Sequence, residues 1–302
     1  MKYIYIVNGR ADKELQYQEL FEQIARIPHP HELYTTKGEG DATRFVRVYC
    51  DLHPDERVCF VACGGSGMVN EVASGIVGFS GKEMAILFFG GSTGDLLECF
   101  PGHDFRSVSA MLAGTVRPID IVRVNDSYFV NVCNFGFDSK VAERANDLIS
   151  KGMDPEKAYR RGIVKALLTG RFNRINVKVD GERIGRGLML LCTLGNGRKV
   201  GGQFICSPNA KTDDGLIEVC YIRAISLLHF MLMMPVYSRG ELVGSKLGRH
   251  IAIYRQAKEV EITAKDLTNI CLDGEILAGT RFEVRIMPKA LPLRLPPVTA
   301  TN

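Results

Sequence analysis

Apolar runs and helical spacings alternate along the first third of the chain. Tyr3 to Val7 is a short run of aromatic and β-branched residues, the pattern of a strand. The amphipathic stretch from Lys13 to Ile27 predicts a helix that Pro28 and Pro30 end. Glu32 to Thr35 reads as a second strand. Asp41 to Tyr49 reads as a helix, with Asp41 as N-cap and Phe45, Val46 and Tyr49 on one face. Val58 to Ala62 is wholly apolar, as expected of a strand buried on both faces. After a turn at Gly64 to Gly67, Val69, Val72, Ala73 and Ile76 recur at helical spacing. Met84 to Phe89 is a further buried strand, followed by a second glycine-rich turn and another helix. This order predicts a parallel sheet covered on both faces, a three-layer α/β domain over residues 1–115.

Near Thr115 the texture changes. Ile119 to Val124, Tyr128 to Asn134, Ile175 to Val179, Leu188 to Leu194, Ile217 to Ile222, Val260 to Thr263 and Phe282 to Ile286 are short apolar runs. Turn pairs such as Asn125-Asp126 and Asp180-Gly181 separate them, which predicts an antiparallel sandwich or barrel over 116–288. Two helical stretches interrupt it, Ser139 to Leu168 with a division near Pro155, and Ala224 to Tyr237. Residues 289–302, with Pro292, Pro296 and Pro297, read as an extended tail packing back on the N-terminal domain.

A length of 302 residues, 46% hydrophobic and 24% charged, is ordinary globular composition. The net charge of +4 admits anionic substrates or a membrane surface, but the chain has no dense Lys/Arg stripe of a nucleic-acid binder. The nine cysteines include no C-x-x-C pair and mostly lie in apolar runs, which points to buried thiols in a reducing compartment. Lys2 to Val7 is too short for a signal segment, and Ala224 to Val236 falls short of the roughly 20 residues that span a bilayer. A soluble, cytoplasmic protein is the expectation.

The sharpest local signal is Phe60-Val-Ala-Cys-Gly-Gly-Ser-Gly-Met-Val-Asn-Glu-Val72, a buried strand entering glycines that open a helix. Such a turn brings several backbone N–H groups and a helix N-terminus against a phosphate. A dinucleotide fingerprint fails because Asn70 stands where the third glycine belongs, and a Walker loop fails for want of G-K-[ST]. Gly90-Gly-Ser-Thr-Gly-Asp95 follows the next strand in the same way, and two such loops can face one crevice.

Gly64 to Val72 resembles the G-G-D-G-T-x-N-E-V loop of the diacylglycerol kinase catalytic domain, shared with sphingosine kinases, bacterial lipid kinases and, more distantly, NAD kinases. Asn8-Gly9, Thr36 to Ala42, Gly91 to Asp95, Ile119-Asp120-Ile121, Asn196-Gly197, Gly201-Gly202, Pro208 to Leu216 and Leu272-Asp-Gly-Glu275 follow in the family's order. The resemblance implies an N-terminal nucleotide domain, a C-terminal β-sandwich and an active site in the cleft between them. By that likeness Asn8, Thr36, Gly64, Gly65, Ser66, Gly67, Met68 and Ser92 would contact ATP, and Asp95 and Asp120 would help place Mg²⁺. Asp273 or Glu275 would be the base that takes the proton from a lipid hydroxyl. Asp214, with the carbonyls of Lys211 and Leu216, would hold a structural Mg²⁺. The implied partner is a lipid acceptor at a membrane surface, with peripheral membrane association; a homodimer is compatible with all of this.

Three positions depart from the family pattern: Ser66 stands for its Asp, Met68 for its Thr and Gly94 for its Asn. A serine hydroxyl can ligate Mg²⁺, as in P-loops, but it carries no charge and is no base at neutral pH. The readings that follow are a lipid kinase with a modified loop, a non-catalytic nucleotide- or lipid-binding protein on the same scaffold, and a kinase for a non-lipid acceptor.

Overall fold

The computed structural model describes residues 1–9, 16–89, 94–169, 173–185 and 188–298. Two compact units emerge: Met1–Ile121 together with the stretch from Pro288 onward, and Val122–Met287.

In the first unit, β1 (Lys2–Val7), α1 (Gln16–Ala25), β2 (His31–Thr35), α2 (Asp41–Leu52), β3 (Val58–Cys63), α3 (Ser66–Ile76) and β4 (Lys82–Leu87) alternate as the periodicity predicts. A 3₁₀ turn (Asp95–Cys99) and α4 (Val108–Leu112) follow. β1 pairs in parallel with β2 and β3, and β3 with β4, and the C-terminal stretch of the chain adds a parallel strand through Leu293 beside Met84. Alternation along the strands divides the core. Tyr5, Val7, Val61 and Leu87 pack with Tyr17, Leu20 and Met111 of α1 and α4. The intervening Phe60 faces the other side, where the Tyr49 ring of α2 meets it edge-on at 5.7 Å between centroids. Arg294 fastens the added strand by pairing with Glu83 at 2.8 Å, with both side chains nearly buried.

The helix over 41–52 starts differently from the expectation. Its N-cap is Gly40, in the left-handed region at φ 74°, and Asp41 is the first helical residue. Asp41 instead turns its carboxylate back to accept from the Lys37 N–H at 2.8 Å and the Tyr34 hydroxyl at 2.8 Å. The loop ahead of the helix takes that carboxylate, and glycine makes the tight entry possible.

The second unit takes in the C-terminal end of β5 (Thr115–Val124), then β6 (Ser127–Phe129), β7 (Val132–Gly136), α5 (Phe137–Ser150), α6 (Pro155–Thr169), β8 (Asn173–Val179), β9 (Glu182–Arg183), β10 (Leu188–Gly195) and β11 (Ile217–Arg223). α7 (Leu227–Ser238), α8 (Lys246–Ile251), β12 (Ala252–Ala257), β13 (Glu259–Leu272) and β14 (Glu275–Leu295) complete the chain, β14 running on into the first unit. β5 pairs antiparallel with β6, and the pairings among β7, β8, β10, β11, β12, β13 and β14 in this unit are antiparallel too. β13 turns a corner: Val260 to Ala264 pair with β8, a register shift follows, and Ile270 to Leu272 pair with β7. Such bends let one strand serve both layers of a sandwich. Phe129, Phe135, Val177, Val219, Ile262 and Phe282 fill the interior. The outer face of β7, β10 and β11 is apolar too, because Val132, Leu190 and Ile222 pack under Phe137, Phe230 and Met233 of the helices.

Candidate functional site

In the first unit the parallel register brings the C-terminal ends of β1, β2 and β3 to one edge, where ligands of open α/β sheets bind. Asn8 follows β1, Thr36 follows β2, and Gly64 follows β3. The Thr36 N–H donates to the Val7 carbonyl at 2.9 Å, and a Cβ on Gly9 would lie 2.3 Å from the Thr36 carbonyl oxygen. Glycine is therefore required for the chain to pass there. The Gly64 N–H ties the next turn to β4 by donating to the Leu87 carbonyl at 3.1 Å.

Gly65 is the N-cap of α3 and Ser66 its first residue. A glycine offers no capping side chain, and no acidic residue stands in the first turn. The partial positive charge at that end is thus not neutralised from within the helix, and an anionic phosphate suits it. Gly67 and Met68 complete this turn, and Ser66, Gly67 and Met68 are all partly accessible. Asp95 opens the 3₁₀ turn and is buried at 5% exposure. Asp120 is fully buried and accepts from the Lys289 N–H at 2.7 Å. Ser92, with Gly90, Gly91 and Thr93, lies outside the described residues.

Glu71 belongs to this site although its role was not apparent from the motif. Its two carboxylate oxygens accept from the Gly40 N–H at 3.0 Å and the Ala42 N–H at 2.9 Å. The Thr43 hydroxyl donates to the Glu71 carbonyl at 2.9 Å. One side chain of α3 thus caps α2, and the glycine turn is bound to the segment that follows Thr36.

In the second unit Asp273 and Gly274 are the two central residues of the hairpin joining β13 to β14, at φ 50° and 108°. Asp-Gly favours such a turn because both positions need positive φ. The Asp273 carboxylate accepts from the main-chain N–H groups of Val130 (2.6 Å), Asn131 (3.1 Å) and Val132 (2.8 Å). The Asn196 side chain reaches the same segment by donating to the Val130 carbonyl at 2.6 Å, and the Gly197 N–H donates to the Asn131 carbonyl at 2.8 Å. Asp273, Asn196 and Gly197 therefore hold one short stretch of backbone. Glu275, the first residue of β14, is partly accessible and stands opposite Leu272.

Lys211, Asp214 and Leu216 lie on a turn before β11, where Gly215 has φ 73° and the Leu216 N–H donates to Asp214 Oδ1 at 3.1 Å. Among the described residues no three or more His, Cys, Asp or Glu side chains gather into a metal-binding group. The hard oxygen donors are dispersed single carboxylates and carbonyls. That set fits Mg²⁺, which keeps several waters and takes one or two carboxylates.

A phosphate-ready helix N-terminus on the C-terminal edge of a parallel sheet, joined in one chain to a helix-clad sandwich, marks the fold class of the diacylglycerol and NAD kinases. The diacylglycerol kinase catalytic domain matches residues 2–124, and the YegS C-terminal NAD kinase beta sandwich-like domain matches residues 131–295. The chain belongs to this family of lipid kinases. It is 28% identical over 314 residues to a "Probable lipid kinase YegS-like" of Cronobacter sakazakii, covering 97% of this chain and 95% of the relative. It is 26% identical over 274 residues to a diacylglycerol kinase of Bacillus subtilis, covering 89% and 86%. In fold it resembles a diacylglycerol kinase from Bacillus anthracis, with a TM-score of 0.69, 20% identity, and 99% and 98% of the chains covered. An Archaeoglobus fulgidus NAD kinase solved with ATP is more distant, with a TM-score of 0.52, 10% identity, and 99% and 94% covered. No helix among the described residues is long and apolar enough to cross a membrane.

Proposed function

We propose that the chain is an ATP-dependent kinase that transfers the γ-phosphate to a hydroxyl of a diacylglycerol-like lipid, acting from the cytoplasm on an acceptor held at a membrane surface. The observation that carries this reading is the uncapped, acid-free N-terminus of α3 on the sheet edge shared with Asn8 and Thr36. Residues 1–115 would serve the nucleotide and 116–288 the acceptor, with 289–302 returning to the nucleotide domain.

Asn8, Thr36, Gly64, Gly65, Ser66, Gly67, Met68 and Ser92 would hold ATP. Asp95 and Asp120 would place Mg²⁺, which supplies charge neutralisation on the phosphates. Asp214, with the Lys211 and Leu216 carbonyls, would hold a second, structural Mg²⁺. The acceptor oxygen forms a bond to the γ-phosphorus, the bond from that phosphorus to the bridging oxygen breaks, and ADP leaves. The hydroxyl proton passes to Glu275, whereas the three N–H groups on Asp273 make it the support of the hairpin that presents the base.

Ser66 supports a second reading, a nucleotide-binding protein without transfer, because the loop has a neutral hydroxyl where the family has a carboxylate. Labelled ATP with diacylglycerol in mixed micelles separates the two. Transfer at about 1–100 s⁻¹ would establish the kinase. Absence of transfer, with a gain of at least about tenfold on Ser66→Asp with Met68→Thr, would place the deficit in the loop. ATP binding with no transfer by either protein would sink the lipid-kinase reading.

A further inference from the structure

α7 has no polar face. Its twelve residues, Leu-Leu-His-Phe-Met-Leu-Met-Met-Pro-Val-Tyr-Ser, carry no acidic or basic side chain apart from His229. Phe230, Met233 and Tyr237 point into the unit's core, and the Phe230 ring meets Phe137 at 5.2 Å between centroids. At about 100° per residue, Leu227, Leu228, Met231 and Leu232 then share an opposite arc of about 140°. They are exposed at 44%, 61%, 57% and 57%. A helix that is apolar all round is ordinarily buried all round, and a contiguous exposed apolar face marks an interaction surface. Leu188, itself exposed, extends it, since its carbonyl accepts from the Ala224 N–H at 3.1 Å just ahead of the helix.

Charge decides what covers this face. Between residues 223 and 250, Arg223, Arg239, Lys246 and Arg249 are all exposed; Glu241, the one acidic residue there, pairs with Arg239 at 2.8 Å, which leaves a rim charge of three. Ile251 of α8 packs in the same cluster as Phe230 and Met233, which sets the basic residues of α8 beside α7. A second copy fits poorly. A two-fold contact would set this basic rim against itself, and one helical face falls short of the ~800 Å² per partner of a standard interface. An apolar face rimmed by Arg and Lys suits the boundary of an anionic bilayer, where such faces sink about 5–10 Å.

We propose that the outward face of α7 docks this chain on an anionic lipid surface, Leu228, Met231 and Leu232 entering the acyl boundary and Arg223, Lys246 and Arg249 meeting headgroups. The inference rests on the reading that the acceptor is a bilayer lipid, and it names the surface that brings the chain to it.

The test uses the full chain with vesicles of phosphatidylglycerol and phosphatidylcholine, against phosphatidylcholine alone. The parent should sediment with the anionic vesicles, and less so as salt rises. The triple variant Leu228→Glu, Met231→Glu, Leu232→Glu should bind about a thousandfold more weakly, at roughly tenfold for each of the three apolar side chains lost from the interface. Its melting temperature should not change, because all three side chains are exposed. Phosphorylation of a water-soluble short-chain diacylglycerol should also be unchanged, while that of a vesicle-borne one falls. Vesicle binding that the variant loses, with no acceptor phosphorylated by the parent, would keep the docking surface and refute the kinase reading. Equal vesicle binding by parent and variant overturns the inference, as does a parent that ignores anionic vesicles. A dimer that the variant dissociates, with vesicle binding intact, assigns the face to a second copy and overturns it too.

Discussion

Glu71 on α3 and Ala42 on α2 are joined by a carboxylate–amide hydrogen bond of 2.9 Å, and the same carboxylate accepts from the Gly40 N–H at 3.0 Å. An uncapped helix start is thereby satisfied by a side chain from the neighbouring helix. Glu71→Ala should cost about 1–2 kcal/mol of stability, the typical loss for a missing N-terminal cap. It should also weaken ATP binding, because the segment after Thr36 loses its tie to the glycine turn. Glu71→Gln keeps one acceptor oxygen and should recover part of both. Thermal unfolding and calorimetry read the two effects, and an Ala variant with parental affinity would separate the cap from the site.

At Gly65 the sign of the stability change is informative. Its φ of −89° and ψ of −166° are open to any residue, and aspartate is a favoured N-cap. Gly65→Asp should therefore leave the melting temperature unchanged or raise it, while its carboxylate occupies the phosphate position and abolishes ATP binding. Retained ATP affinity by calorimetry would place the nucleotide elsewhere.

Asp273 and Glu275 sit two residues apart and should fail in different ways. Asp273→Asn leaves main-chain N–H groups of 130–132 short of an acceptor, at a cost of about 1–3 kcal/mol. Glu275→Gln should leave unfolding and ATP binding unchanged and lower kcat by about 10²–10⁴. Wild-type turnover in Glu275→Gln would remove it as the base.

Both the parallel sheet and the sandwich were legible in the sequence because strands such as Val58–Cys63 and Leu188–Gly195 are nearly unbroken apolar runs, and glycine or Asx turns punctuate the chain. Ala252–Ala257 was not: Arg255 and Gln256 interrupt its apolar residues, no strand was expected there, and yet it pairs with β11 along its whole length. Asp41 looked like a cap because it is the right residue type at the right place, and only the Lys37 loop shows where its carboxylate goes. The glycine turn was legible as the passage from a buried strand into a helix, from the order of its residues, and Gly65 is indeed the N-cap of α3. The contact of Glu71 with α2 depends on α2 and α3 packing side by side, with Ala42 and Glu71 29 positions apart in the chain, which no local pattern encodes.

The Lys37 N–H first, then the Tyr34 hydroxyl and Arg44, lower the Asp41 pKa below its ordinary value of 3.8, and partial desolvation opposes them. A carboxyl so lowered contributes stability above its unfolded value and loses it as pH falls through the folded one. The parent should accordingly exceed Asp41→Asn in stability at neutral pH, and the gap should close only below about pH 4. A gap that closes at higher pH would contradict this account.

Asp214 is testable without any substrate. If it holds Mg²⁺, the ion stabilises the native state by RT ln(1 + [L]/Kd), so the melting temperature should climb with Mg²⁺ concentration. Asp214→Asn should flatten that climb. An unaltered response would place the ion elsewhere.

Eight of the nine free thiols are buried, and Cys99 alone is partly accessible. Burial raises the Cys50 thiol to about 11 and the Cys59 thiol to about 12, so in the folded chain these groups hardly ionise and resist alkylation. Three of them (Cys50, Cys59, Cys63) lie in the first unit and five (Cys133, Cys192, Cys206, Cys220, Cys271) in the second. The molecule thus carries its own two-channel record of unfolding. After a brief pulse of iodoacetamide in rising urea, peptide masses would report which half opens first, with no label engineered into either.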